Sequence, residues 1–171
     1  DKRMLRILLL GAISGFPWVL IASSLSLWLK EEELSRSTIG WAGLIFGVYA
    51  FNYLWAPMID RFQIPFLTKK LGHRRGWIVL MQIVILVSLI IWSFINPNQN
   101  LALLITVGLI IATASATQDI TVDALRIEQI NENEGKAMAA GAAMAVVGWW
   151  TGYKLGGVVA LFTAEYFENI G

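Results

Sequence analysis

The sequence predicts an all-α protein, a polytopic membrane helical bundle of five transmembrane helices forming one transmembrane unit over residues 1–171. Three observations predict it. The chain is 57% hydrophobic and only 15% charged, with a mean hydropathy of +0.63, whereas about a quarter of the residues of ordinary soluble domains are charged. Its apolar residues fall in runs long enough to cross a hydrocarbon layer of roughly 30 Å at about 1.5 Å per residue. Its Lys and Arg residues collect in alternate connections, the bias that marks cytoplasmic loops.

The five runs cover about 4–29, 38–58, 76–95, 101–124 and 136–162. The first is too long, and too soon followed by another, to be a cleaved leader, and it lacks a small-x-small cleavage site. Lys2, Arg3 and Arg6 precede it. Arg61, Lys69, Lys70, Arg74 and Arg75 fill the connection between the second and third runs, and Arg126 and Lys136 flank that between the fourth and fifth. The opposite side holds Lys30 and Arg36 beside Glu31, Glu32 and Glu33, and residues 96–100 carry no charge. The N-terminus is therefore expected in the cytoplasm. Five spans bring the chain to the far side near Glu165 and Glu168, where a sixth would begin, so the sixth span is expected to be missing.

The third run is almost wholly aliphatic and aromatic, as a helix facing lipid requires. The first is interrupted by Gly11, Ser14, Gly15 and Pro17. Proline removes a backbone hydrogen bond, so this helix either lines a cavity, with Ser14 a substrate contact, or is simply kinked and closely packed. In the fifth run, Gly148, Gly152 and Gly156 recur at intervals of four and predict a close helix–helix seam. Beside them, Trp149, Trp150 and Tyr153 either anchor at the membrane interface or stack on a sugar ring. Lys154 either extends its charge to the interface or meets an anionic substrate.

An ionisable group inside a span costs roughly 2.5 to 3.5 kcal/mol, which makes it a functional candidate. Asp119 and Asp123 lie four apart near the end of the fourth run, with Arg126 three further on and Ser115 one turn before. This spacing places them on one stripe of a helix. A carboxylate pair suits proton uptake, since mutual repulsion and burial both favour holding a proton. Asp119, farther from Arg126, is the better candidate; Asp123 and Arg126 also fit a plain ion pair locking the helix end. Gln118 serves either substrate recognition or interhelical hydrogen bonding.

Asp60 and Arg61 close the second run, and Gly72, His73, Arg74 and Arg75 open the third. These clusters, with Arg126, suit a cytoplasmic gate held by ion pairs that break on opening, or a topological role for the basic residues alone. There is no cysteine, and His73 is the single histidine. With no metal-ligand spacing, no nucleophile beside a base and no phosphate loop, no enzyme, cofactor, metal or nucleic-acid partner is expected.

Asp60-Arg61 with Gly72-His73-Arg74-Arg75 resembles the loop between helices two and three of the major facilitator superfamily, with an insertion between its halves. Ser14-Gly15-Phe16-Pro17, the stretch from Leu54 to Arg61 (LWAPMIDR) and that from Ser115 to Ala124 (SATQDITVDA) resemble the AmpG family of muropeptide permeases, in the right order along the whole chain. The resemblance implies an N-terminal major-facilitator half-domain of a twelve-span carrier in the bacterial inner membrane. Such a carrier imports anhydro-muropeptides, sugar-peptide fragments of peptidoglycan, with protons for recycling, and needs its C-terminal half as partner. The acetyl-CoA transporter family shares similar Ala-Thr-Gln-Asp and Leu-Trp-Ala-Pro segments. The chain departs from AmpG-like sequences at Asn52, where a Lys is common, and in span five, where Gly152-Tyr153-Lys154-Leu155-Gly156 stands one turn beyond the usual Gly-Tyr-Arg-Leu-Gly. A carrier of acetyl-CoA or another organic anion, with Lys154 as its key cation, and a non-transporting membrane assembly factor are the alternatives. The polar stripe of Gln118, Asp119 and Asp123 argues against the second.

Overall fold

The computed structural model describes residues 1–25, 30, 40, 43–96, 99–130 and 134–168. Residues 26–29, the acidic stretch 31–33, Arg36 and the start of the second run lie outside the described residues. The chain forms two compact units, one of Asp1–Trp28 with Ile130–Gly171 and one of Leu29–Gln129.

The first unit is a pair of long helices, α1 (Lys2–Val19) and α7 (Gly135–Glu168). The Asp1 carboxylate caps α1 by accepting from the Arg3 amide at 2.9 Å, which satisfies one of the open donors of the first turn. Beyond Pro17 the helix continues as one π-type turn, Leu20–Ser24, closed by the Leu25 amide on the Leu20 carbonyl. A proline without its N–H interrupts the regular ladder, and a wider turn follows it.

The expected seam on the last run exists, and its partner is the first. A methyl on Gly148 or Gly152 would drive into the carbonyls of Leu8 and Ala12. One on Gly11 would reach the Trp149 amide at 3.0 Å, and one on Gly15 the Tyr153 amide at 3.0 Å. Glycines on both helices thus let the two backbones touch, the arrangement by which apolar helices associate where lipid offers no hydrophobic drive. Packing accounts for Gly11 and Gly15 without a cavity. Near the N-terminal ends of α1 and α7, Arg3 grips Glu134 with both terminal nitrogens, at 3.2 and 3.0 Å.

The second unit centres on α5 (His73–Ser93) and α6 (Leu101–Glu128), which run antiparallel. Arg74 at the start of α5 meets Glu128 at the end of α6. At the other end the Trp92 indole donates to the Leu104 carbonyl at 3.0 Å. The single span expected over 38–58 is interrupted. It runs as a 3-10 turn Gly43–Phe46, α2 (Gly47–Phe51), a second 3-10 turn Asn52–Leu54, then α3 (Ala56–Arg61). Phe51 and Trp55 sit near φ −108°, ψ 5° and φ −105°, ψ 1°, off the helical ladder, and Pro57 opens α3. Pro57 suits a first helical turn, where no amide is needed, and cannot extend the ladder behind it.

α5 begins three residues before the expected boundary. Its cap is Gly72, at φ 89° and ψ 164°, a conformation open essentially to glycine alone. This sharp turn follows the short α4 (Leu67–Leu71) and recruits His73, Arg74 and Arg75 into the helix. Among the described residues three helices are long and apolar enough to cross a membrane, Lys2–Ala22, His73–Ser93 and Leu101–Glu128, with Gly43–Leu54 a shorter apolar segment.

Candidate functional site

The second unit gathers most of its buried polarity on α6. Ser115, Gln118 and Thr121, three residues apart, are all fully buried. This spacing keeps them on the inward face of an otherwise apolar helix. The threonines satisfy themselves: Thr117 and Thr121 donate to the carbonyls of Thr113 and Thr117 at 2.7 and 2.8 Å. The Thr117 oxygen also accepts the Trp55 indole N–H at 3.0 Å, so the turn after the second 3-10 segment is tied to the middle of α6.

The Gln118 Oε1, Asp119 Oδ1 and Ser115 Oγ atoms are all shielded from solvent, as is the hydroxyl of Tyr49. Tyr49 lies on α2, which packs against α6. Shielded atoms of a carboxyl, an amide and two hydroxyls thus lie in the second unit, three of them within residues 115–119 of α6.

Asp123 belongs elsewhere. Its side chain is 65% exposed and pairs with Arg126 through Nη2 at 3.1 Å. The stripe predicted from spacing thus divides into Asp119, with one carboxyl oxygen shielded, and an exposed Asp123 that pairs with a half-buried Arg126 at the helix end.

A second cluster joins α3, α5 and α6. The Arg74 guanidinium binds Asp60 through Nη1 and Glu128 through Nε at 2.9 Å, and its own side chain is only 17% exposed. His73 donates from Nε2 to the Ile59 carbonyl at 2.8 Å, and the Trp77 indole donates to the Phe62 carbonyl at 2.9 Å. Of the residues expected in a gate, Asp60 and Arg74 meet and Gly72 forms their turn, while Arg61 and Arg75 are exposed and Arg126 stays with Asp123. Glu128 was not foreseen. Its signal, an acid four residues beyond the apolar run, has no meaning until α5 and α6 are known to be antiparallel.

The first unit holds an aromatic group. Trp149 stacks on Tyr153 with centroids 5.6 Å apart and planes at 11°. Trp150 and Trp18 meet Trp149 edge-on at 5.3 and 6.1 Å. Trp18, from α1, was missed because one Trp in an apolar run gives no sign of what lies opposite. Ser14 is buried, its hydroxyl without a hydrogen-bond partner among the described residues, and Trp150 and Lys154 are exposed.

Apolar helices long enough to cross a membrane, with charge at their ends and shielded polar atoms on α6, define a helical membrane protein. The chain belongs to the major facilitator superfamily, whose model matches residues 7–167. It is 35% identical over 159 residues to the anhydromuropeptide permease of Escherichia coli K12, covering 93% of this chain and 31% of that protein. It is 37% identical over 169 residues to the putative transporter AmpG 4 of Rickettsia felis, covering 99% of this chain and 40% of that one. A putative transporter AmpG 1 of Rickettsia bellii is 36% identical over 160 residues. The chain therefore spans between 31% and 40% of the length of these relatives.

Proposed function

We propose that the chain is the N-terminal part of a secondary transporter that imports anhydromuropeptides across the bacterial inner membrane, driven by protons. The observation that carries it is the shielded set of Asp119, Gln118, Ser115 and Tyr49 on helices of a major-facilitator chain. The similarity to an anhydromuropeptide permease supports the cargo. A carboxyl held inside the bilayer is costly unless it does something there, and loading and unloading a proton is the task its surroundings permit.

In this reading Asp119 takes the proton and Asp123 serves the helix end. Gln118 is a substrate contact of the second unit; Ser14, Trp150, Tyr153 and Lys154 are those of the first. The Asp60–Arg74–Glu128 cluster acts at the cytoplasmic gate, flanked by Arg61 and Arg75, with Arg126 holding Asp123. Five spans with the N-terminus inside fit the Lys and Arg bias, the interrupted 43–61 segment being the second span and α7 the fifth. A C-terminal half completes the carrier.

The test is uptake of a labelled anhydromuropeptide by cells producing the protein as its gene encodes it, with an imposed proton gradient. Accumulation that collapses with an uncoupler and falls about tenfold or more in Asp119→Asn is expected. Uptake indifferent to both would overturn the proposal.

A further inference from the structure

The connection between α3 and α5 has features that neither the ion-pair cluster nor the polar atoms of α6 use. Phe66, at φ 70° and ψ −53°, is the non-glycine residue with positive φ among the described residues. The Leu67 amide donates to the Pro65 carbonyl at 2.9 Å, which closes about Phe66 a γ-turn of the rare, strained kind. Strain of this sort persists only where the surroundings over-determine it, and it gathers at functional positions. Here the bracing is visible. The Thr68 hydroxyl accepts from the Ile64 amide, and the Ile64 carbonyl from the Thr68 amide, both at 3.0 Å. The Trp77 indole holds the Phe62 carbonyl at 2.9 Å. A methyl on Gly76 would meet the Thr68 amide at 3.2 Å, so α4 lies directly against the first turn of α5.

The braced turn holds two rings in the open. Phe62 and Phe66 are 60% and 66% exposed. Lys70 sets its ammonium 4.4 Å from the centre of the Phe66 ring, a cation–π contact. Arg61, Lys69 and Arg75 are exposed as well, and with Lys70 they make no ion pair among the described residues. Residues 61–75 contain no acid. Since α5 is long and apolar enough to cross a membrane, its first turn, and α4 with it, stands at a bilayer surface.

We propose that this connection docks on anionic phospholipid, with Phe62 and Phe66 entering the acyl boundary and Lys69 and Lys70, flanked by Arg61 and Arg75, meeting the headgroup phosphates. The proposal stands apart from cargo and coupling and needs only that α5 crosses the bilayer. Aromatic rings favour the membrane interface, and basic side chains beside an anionic leaflet are drawn to it. The two attractions act together at Lys70, because a ring at the acyl boundary sets the ammonium beside it at the level of the phosphates. Bracing of the turn means that little chain freedom is lost on docking. Position favours lipid over a protein partner, which would have to displace lipid from the end of a helix whose outer face is open at Ile83, Leu86 and Ile90.

The test uses the protein as its gene encodes it, with Gln63→Cys carrying a bimane fluorophore. Gln63 is exposed and residues 1–171 contain no cysteine; any cysteine outside them is replaced by serine. The labelled protein is reconstituted in vesicles of phosphatidylcholine mixed with phosphatidylglycerol, with bromine on the acyl chains of one lipid or the other, so that quenching reports which lipid stands at the label. A preference for phosphatidylglycerol of about tenfold is expected, since each lysine beside an anionic surface is worth a factor of about five, and salt should weaken it. Lys69→Gln with Lys70→Gln is expected to cut the preference about fivefold or more, whereas Lys69→Arg with Lys70→Arg keeps it. Phe62→Ser with Phe66→Asn, the latter a residue that tolerates positive φ, is expected to lose most of the quenching by either lipid. No quenching by either lipid before these substitutions would mean that protein covers the face, and would overturn the proposal. Quenching without preference, or a preference that the glutamines leave intact, would overturn the anionic headgroup as partner. Quenching that survives the loss of both rings would overturn their insertion.

Discussion

A methyl group on Gly152 is the sharpest probe of the first unit. Its carbon would lie 2.6 Å from the Ala12 carbonyl carbon and 2.7 Å from the Ala12 Cα. Carbon atoms meet comfortably at about 3.5 to 4.0 Å, so α1 and α7 would have to part by about 1 Å. Both obstacles are backbone, and neither can turn aside. A gap of that size forfeits about a quarter to a half of each contact's attraction along the seam, and overpacked helix contacts of this kind cost about 1 to 3 kcal/mol. Replacing a helical glycine by alanine also brings a gain of up to about 1 kcal/mol in helix propensity, which would mask part of the loss. Gly157→Ala is the control, since it brings the same gain but meets only the Val19 Cγ2 methyl, at 3.3 Å, a side chain able to yield. The difference between the two variants, read as thermal midpoints by intrinsic Trp fluorescence in detergent, isolates the steric cost. At about 2 to 4 °C per kcal/mol for a chain of this size, Gly152→Ala is expected to melt about 2 to 12 °C below Gly157→Ala. Gly15→Ala should behave like Gly152→Ala, and the double variant should lose less than the sum, because the first methyl has already opened the seam. Equal midpoints for Gly152→Ala and Gly157→Ala would refute the backbone contact.

Two further predictions concern the second unit. In a double-mutant cycle on thermal midpoints, Arg74→Ala and Glu128→Ala should show a coupling of about 0.5 to 1 kcal/mol, modest because both carboxylates are half exposed to water. Strictly additive losses would mean that the pair contributes nothing. Gly72→Ala forces a side chain into a backbone conformation that only glycine adopts readily, at a cost of about 1 to 3 kcal/mol; a midpoint unchanged within about 1 °C would refute the turn.

Where the sequence succeeds, it does so through properties of single segments. Run length and composition marked 76–95 and 101–124 as helices, and the helices found, His73–Ser93 and Leu101–Glu128, differ from them only at their ends. Those ends moved for reasons of local chemistry: Gly72 turned the chain early, and Glu128 prolonged α6 to reach Arg74. The interruption of 43–61 was harder to read, because hydropathy is blind to whether a run is one helix or several short turns. Pro57 and Asn52 were its marks, and neither by itself says where the ladder breaks.

The amino-acid sequence by itself determined that this is a helical membrane chain of the major facilitator superfamily. It also determined that α7 carries a seam of glycines and that α6 carries ionisable groups, because spacing along one helix fixes which residues share a face. It could not determine what those faces meet. Only the tertiary structure paired Gly148 and Gly152 with the carbonyls of Leu8 and Ala12, gave Arg74 to Asp60 and Glu128, and packed α2 against α6. It also separated Asp119 from Asp123, although both lie on one stripe, because depth in the bundle shields the first and leaves the second in reach of water and Arg126. Periodicity is a property of one helix; shielding and partnership depend on its neighbours, whose approach is set by glycines, a proline and charges many residues away.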